Sequence, residues 1–506
     1  MTTEPPSQPL RTRPLHNLAD LVGRNAVERP DATAFVDVTG LVDGSGERST
    51  ITWAQFDERV DRVAAGLTAR GLVASHRVAL CGPNSLEWVV AYFAALRAGF
   101  VVVPINPQST PDELSNMINN SGSRLALTAD GRTIAGIDTV ALTAVGLDAL
   151  GSGGHAGVES PQDVEALAVL LYTAGTSGDP KAAMLSHRAL LAHLEQVSGL
   201  EVVAADDVVL EVLPLFHVFG LNSVLGAGVA AGATVVLADA LTADTPRLIR
   251  DEAITNLPLA PSALYRLMQL PDLAGSVSSV RMVLSGAAPL PERLAADFTA
   301  TTGLRVERGY GLTEAAPGVA STCGGDVLGV GHVGRTLPGV EVRIGDGADD
   351  GEPGEIWIRG DNVFSGYWPD GRNGPDGDGW FATGDVGYRT DGELFLVDRA
   401  RDLIIVSGFN VYPAEIEDAI AELDGVRSVA VLGTPAETSG ERVVAFVEAD
   451  GIDEQRIADH CASRLARFKQ PSRIYLVPQL PRGATGKIRK GTLRRSLEVP
   501  QDESDA

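Results

Sequence analysis

The chain has 506 residues, 44% of them hydrophobic and 21% charged. That is enough apolar material for sizeable cores in roughly three to four domain-sized units. Its 41 Lys and Arg stand against 66 Asp and Glu, a formal charge of −25, which argues against a nucleic-acid-binding protein and against attraction to an anionic membrane surface. The three cysteines, Cys81, Cys323 and Cys461, are too dispersed for a disulfide framework or a CxxC metal knuckle and predict a reducing, cytoplasmic setting. Met1–Pro14 has no apolar run of the signal-peptide kind.

Taken in chain order, the first elements alternate. Thr52 and Gln55 form a capping box, and Phe56, Val60, Val63 and Leu67 behind it share one helical face. Arg77 to Cys81 then reads as a strand, Leu86 to Leu96 as a helix and Phe100 to Val103 as a buried strand. Such alternation predicts a parallel sheet covered by helices, and the pattern is expected to recur past Tyr310. Leu213 to Ala238 carries no charged residue and is long enough to span a bilayer. Pro214, His217, Asn222 and four glycines within it predict instead a buried helix running into a buried strand, Ala233 to Leu237. No heptad run or short repeat is present.

Composition changes near residue 345. Gly345 to Gly354 and Pro369 to Gly379 are rich in Gly, Asp and Pro and read as turns. Asp391-Gly392 is a hairpin signal, with Glu393 to Val397 as its second strand. A smaller unit is expected to begin near Arg401, with strands at Leu403 to Val406, Val429 to Leu432 and Val443 to Val447. Between them Pro413 opens a helix whose apolar stripe is Ile416, Ala419, Ile420 and Leu423. The expected organisation is a large N-terminal domain over 1–398, a hinge at 399–402, a small domain over 403–499 and a disordered acidic tail over 500–506.

The most informative segment runs from Leu171 to His187, LYTAGTSGDPKAAMLSH. A strand enters a loop of Thr173, Gly175, Thr176, Ser177 and Gly178, followed by Lys181. Glycines let backbone N–H groups face an anion, hydroxyls add donors and a lysine adds charge, so polyphosphate is the expected guest. It is not a Walker A loop, because no Gly-Lys-[Ser/Thr] closes it. The segment resembles the phosphate-binding motif of the adenylate-forming superfamily: acyl-CoA synthetases, peptide-synthetase adenylation domains and firefly luciferase. Further motifs of that family follow in its order: Leu213-Pro-Leu-Phe-His217, Ser285-Gly-Ala-Ala-Pro289, Gly309-Tyr-Gly-Leu-Thr-Glu314, Thr383-Gly-Asp385, Asp398-Arg399, Gly408-Phe-Asn-Val-Tyr-Pro413 and Gly486-Lys487.

The resemblance implies an α/β fold, with a large N-terminal domain of layered sheets and helices and a small α+β C-terminal lid. It implies two half-reactions in one site. A carboxylate attacks the α-phosphorus of ATP, giving acyl-AMP and pyrophosphate, and a thiol, commonly that of coenzyme A, then displaces AMP. By resemblance Lys487 is the adenylation lysine, Glu314 ligates Mg2+, and Thr173, Gly175, Thr176, Ser177, Gly178, Lys181 and Thr313 surround the phosphates, Thr176 also counting as catalytic. Tyr310 and Gly311 would lie along adenine, with Gly286, Ala287 and Ala288 closing its other face. Asp385 would take the ribose hydroxyls and Arg399 would contact the ribose. His217, Phe216 and Phe219 would line the acyl pocket and Gly408 the CoA channel. Arg401 would stand at a hinge about which the small domain swings between half-reactions.

Four positions depart from the family pattern. Ala174 replaces a usual Ser, Ala182 a usual Gly and Ser177 a usual Thr, while Arg308 stands where Gln, Asn or Glu is common. Arg308 is expected to perturb the pocket, to read an acidic feature of the ligand, or to be solvated. No cation lies within the Gly-rich apolar stretch after His217, so a medium- or long-chain fatty acid is the expected substrate and an aryl acid the alternative. The rival readings are a ligase that loads an acyl carrier protein, a non-catalytic acyl or nucleotide sensor, and a light-emitting oxygenase. The sequence leaves the oligomeric state open.

Overall fold

The computed structural model describes residues 15–39, 48–129, 131, 133–134, 136–152, 157–173, 181–345, 351–399, 404–406, 409–436, 440–483 and 488–498. Ala174 to Gly178, Arg401, Gly408, Lys487 and the acidic tail fall outside these residues.

The capping box forms as the sequence predicts. Gln55 N–H donates to Thr52 Oγ1 and Thr52 N–H to Gln55 Oε1, and the helix Trp53–Ala69 buries Phe56, Val60, Val63 and Leu67. Leu86–Arg97 is buried on every side, which explains why it shows no polar face. These helices pack beside a six-stranded sheet in the order Asp138–Ala141, Ser123–Thr128, Arg77–Cys81, Val101–Ile105, Leu167–Thr173 and Lys181–Ser186. All its pairings are parallel except the last, a hairpin. Ser186 caps the helix His187–Ser198. His187, buried at its start, accepts the Leu18 N–H on Nδ1 at 3.1 Å and so ties the N-terminal segment to the core.

A thirteen-stranded sheet forms the second layer. Its parallel half runs Thr33–Asp37, Thr234–Leu237, Val208–Glu211, Asn256–Leu259, Met282–Ser285 and Glu307–Gly311, with Ser49–Thr52 antiparallel at the outer edge. Beyond Gly311 the expected α/β alternation stops. Gly318–Ser321, His332–Thr336, Glu341–Ile344, Gly354–Arg359, Phe381–Thr390 and Glu393–Arg399 are antiparallel. The physical reason is connection length: turns such as Asp391-Gly392, both at positive φ, join neighbours directly and leave no room for a crossover helix.

The charge-free stretch is buried, as expected, but its first turns are a π-helix, Phe219–Gly226. It continues into the short α-helix Ala227–Ala231 and the strand Thr234–Leu237. Among the described residues no helix is long and apolar enough to cross a membrane.

A smaller five-stranded sheet follows, with Phe409–Val411, Ile404–Val406, Gly440–Ala449 and Val426–Ala436 in order and Arg473–Leu476 parallel to Gly440–Ala449. Pro413 opens the helix Pro413–Ala421, and Ile416, Ala419, Ile420 and Leu423 pack on Val429, Val431 and Val443. The unit touches the larger one through an exposed Arg293–Asp424 ion pair at 2.7 Å. All three cysteines are buried and unbridged.

Candidate active site

The candidate site gathers at the carboxyl ends of the parallel strands, where open α/β sheets bind ligands. Leu167–Thr173 and Lys181–Ser186 set the stems of the phosphate loop. Thr173 stands opposite Lys181 in register, and its hydroxyl donates to the Lys181 carbonyl at 3.3 Å. Lys181 therefore leaves the loop at a fixed place. Ala182 is buried and its carbonyl accepts the Trp368 N–H at 2.9 Å. This departure from the expected Gly is thus absorbed by a strand position with room for a methyl group.

The segment around Tyr367 adds itself to the edge of that hairpin. Met184 N–H donates to the Gly366 carbonyl, and Ser365 N–H to the Met184 carbonyl. Tyr367 is thereby held between two residues singled out from sequence. The Lys181 ammonium lies 5.4 Å from its ring centroid, within cation–π range. Its hydroxyl donates to Glu314 Oε1. Burial, with the Glu314 carboxylate second, pushes the phenol well above its ordinary range, so it stays a donor at neutral pH.

Glu314 sits on the single turn Thr313–Ala315. Every carbonyl of the following bend is occupied. Phe364 N–H donates to the Glu314 carbonyl and Leu312 N–H to that of Pro317. Asn362 Nδ2 reaches the Ala315 and Gly318 carbonyls at 2.7 and 2.8 Å. Asn222, on the π-helix, reaches the Ala316 carbonyl at 2.7 Å. Both asparagines are fully buried, so these bonds are sheltered from water and fix the turn that carries the carboxylate.

Tyr310 and Asp385 come together directly. The Tyr310 hydroxyl donates to Asp385 Oδ2 at 2.8 Å, and both side chains are buried. Asp385 is presented by a tight bend in which its N–H donates to Thr383 Oγ1 while that hydroxyl donates to the Ile356 carbonyl. Arg399 pairs with Asp385 in register across the two strands. Gly286 and Ala288 follow the strand Met282–Ser285, with Ala287 between them in the left-handed region at φ 70°.

The acyl motif meets the nucleotide motif at Gly286. A Cβ there would lie 3.3 Å from two atoms of the Phe219 ring. Phe219 packs with Val209, Leu213, Val224, Ala233 and Ala260. The Phe219 N–H donates to His217 Nδ1 at 3.2 Å, and Phe216 and His217 are half-buried just before it. Arg308 is not solvated. It is buried, forms a two-pronged ion pair with both Glu292 oxygens at 2.7 Å, and donates to the Gly329 carbonyl. The fork geometry of a guanidinium explains the choice.

Tyr367, Asn362 and Asn222 were not visible as functional from sequence. The one available signal was Gly366-Tyr-Trp368, an aromatic pair behind a glycine, which alone says nothing of a partner 53 residues away.

Three comparisons bear on this arrangement. The AMP-binding enzyme family model matches residues 22–368, and the AMP-binding enzyme C-terminal domain model matches 415–487. The chain is 32% identical to the long-chain-fatty-acid–CoA ligase FadD13 of Mycobacterium tuberculosis, over 96% of this chain and 100% of that one. It is 34% identical to 4-coumarate–CoA ligase 5 of Oryza sativa subsp. japonica, over 96% and 94%. Among solved structures it is similar to ATP-bound MatB from Rhodopseudomonas palustris, with a TM-score of 0.86, 31% identity and coverage of 95% and 99%. The chain belongs to the AMP-binding enzyme family, the adenylate-forming superfamily its motifs resemble. By class it is an AMP-forming acid–CoA ligase.

Proposed function

We propose that the protein activates a medium- or long-chain fatty acid as its acyl-adenylate and transfers the acyl group to coenzyme A. The observation that carries this reading is the meeting at Gly286 of the nucleotide motif with the apolar cluster around Phe219. An acid tail resting on that cluster would bring its carboxylate towards Gly286, where the nucleotide motif begins. The fatty-acid relative supports an alkyl tail. The 4-coumarate relative, with Phe216 and Phe219 at the pocket motif, supports an aryl acid as the second reading.

In the first half-reaction a carboxylate oxygen bonds to the α-phosphorus and pyrophosphate leaves. In the second, the CoA sulfur bonds to the acyl carbon and AMP leaves. Both reactants of the first step are anions, so preorganised positive charge is what lowers its barrier. Lys181 supplies one charge at the phosphate stems and Lys487 is proposed to supply the other. Asp385, turned by Tyr310, is the acceptor for the ribose diol.

The residues present suit a magnesium ion. No group of three His, Cys, Asp or Glu side chains gathers among the described residues, and magnesium is commonly held by one or two carboxylates plus substrate phosphates. Glu314, on its fully bonded turn, is the carboxylate that would hold it. Bound there, the ion would neutralise charge on the phosphate oxygens.

The test is pyrophosphate release with a series of alkanoic acids of increasing length, aryl acids, and CoA as acceptor. Turnover rising with chain length to an optimum is expected. Equal release with short dicarboxylates, or release with none of these acids, would contradict the reading.

A further inference from the structure

Tyr367 stands on a short segment that joins both sides of the candidate site. Trp368 N–H donates to the Ala182 carbonyl and Ser365 N–H to that of Met184, so the segment runs antiparallel along the phosphate hairpin, with Tyr367 level with Ala183. Three residues before Tyr367, the Phe364 N–H donates to the Glu314 carbonyl at 2.9 Å. The stretch 364–368 is thus bonded both to the strand that Lys181 opens and to the turn that carries Glu314.

The ring has little freedom on this frame. Phe364 meets it edge to face, with centroids 5.0 Å apart at 76°. Phe364 is itself buried, against Phe381 at 4.9 Å. Gly371 N–H donates to the Tyr367 carbonyl at 2.8 Å. The residue before the tyrosine must be glycine: Gly366 has φ 88°, and a Cβ there would stand 2.2 Å from the Gly371 carbonyl oxygen. A backbone bonded and packed in this way holds its side chain to one place.

The two ends of that side chain meet different groups. The Lys181 ammonium lies 5.4 Å from the ring centroid, and the hydroxyl donates to Glu314 Oε1. Lys181 is exposed, while Tyr367 and Glu314 are half-buried, so none of the three is sealed from a ligand. An exposed lysine samples many rotamers, and ordering it on binding costs entropy. The face of an aromatic ring favours one location for the ammonium beforehand. A phenol O–H on a carboxylate is a charge-assisted bond and likewise fixes one oxygen. Because the ring is rigid, the place of one group is tied to the place of the other.

We propose that Tyr367 is a positioning residue that couples the phosphate cation to the metal-holding carboxylate: its ring sets Lys181 and its hydroxyl sets Glu314. This rests on the reading in which Lys181 meets the phosphates of ATP and Glu314 holds magnesium. Groups already in place bind a nucleotide more tightly than groups that must first be ordered.

The test separates the two contacts by binding, without turnover. Equilibrium affinity for ATP is measured with no acid present, once in EDTA and once over a series of magnesium chloride concentrations. Tyr367→Phe keeps the ring and removes the hydroxyl. Its affinity in EDTA is expected to match that of the wild type, while the gain in affinity that magnesium brings falls by about fivefold to tenfold. Tyr367→Leu removes both contacts and is expected to lose about twofold to fivefold in EDTA as well. In a Glu314→Gln background, Tyr367→Phe should change the magnesium gain no further, since residues acting through one another are not additive. A merely structural role would lower binding with and without the metal alike. A magnesium gain kept whole in Tyr367→Phe, a further loss in the Glu314→Gln background, or an unchanged affinity of Tyr367→Leu in EDTA overturns the proposal. So does a loss in EDTA from Tyr367→Phe, by misfolding or otherwise. Wild-type binding that magnesium does not strengthen sinks the reading of Glu314 as the metal ligand, and this proposal with it, whereas a wild-type gain untouched by Tyr367→Phe sinks only the role of Tyr367.

Discussion

The bond from Tyr310 to Asp385 sets two groups at once: the ring plane proposed to meet a purine and the oxygen proposed to meet a ribose. Tyr310→Phe keeps the ring and removes the bond. A net hydrogen bond is worth about 0.5–1.5 kcal/mol, so KM for ATP should rise by several-fold, up to about tenfold, with at most a small fall in Tm from the lost buried bond. A fall in Tm with unchanged KM would count against this role. His187 makes a different residue-scale prediction. Burial holds its pKa down at about 4, against 6.5 for the free side chain, with Asp20 and Asp163 only partly opposing. The unfolded chain takes up the proton first, so stability is intact above pH 6.5, declines as pH falls, and levels off below about 4. The loss from this residue is on the order of 3 kcal/mol. His187→Asn, which keeps an acceptor for Leu18, should flatten that part of the pH dependence of the urea midpoint. At this scale the motifs made Tyr310, Glu314 and Asp385 legible from sequence, because each lies in a short pattern. Tyr367, Asn362 and Asn222 were not, because their partners lie 53, 47 and 94 residues away and no local pattern encodes such a distance.

Among the elements, the π-helix Phe219–Gly226 has the most to do with the pocket. Its wider turn places Asn222 on the Ala316 carbonyl while Phe219 faces Gly286. Gly220 makes the turn possible: a Cβ there would stand 2.6 Å from the Pro214 carbonyl oxygen and 3.0 Å from that of Leu213. Both are backbone atoms that cannot step aside alone. Gly220→Ala should therefore cost about 1–3 kcal/mol of stability and raise KM for the acid more than KM for ATP. A change confined to ATP would show that the turn does not shape the acyl side. The sequence reading found this stretch buried and helical but could not distinguish its pitch, since an uninterrupted apolar run offers no contrast between faces. Most of the α/β elements were legible, because capping boxes and apolar stripes are local. The shift to antiparallel strands after Gly311 was not, since pairing direction depends on which strand returns beside which.

For the whole molecule, the question is how the two units cooperate. The Arg293–Asp424 pair between them is exposed on both sides, and such pairs contribute about 0–1 kcal/mol. Movement of the small unit between half-reactions is a proposal that rests on the resemblance at Lys487 and Gly408. Lys487→Ala should then depress pyrophosphate-releasing adenylation far more than thioester formation from supplied acyl-adenylate. Gly408→Leu should do the reverse and leave acyl-AMP trapped. Equal losses in both steps for either variant would rule out the moving lid. The sequence motifs named both residues, but motifs are silent on how far a unit travels. The buried cysteines offer a direct way to follow it. With Cys81, Cys323 and Cys461 all enclosed in the native protein, the wild-type chain is a quiet background for maleimide dyes. One engineered surface thiol on each unit would report, by energy transfer between two fluorophores, whether the small unit swings as proposed during turnover.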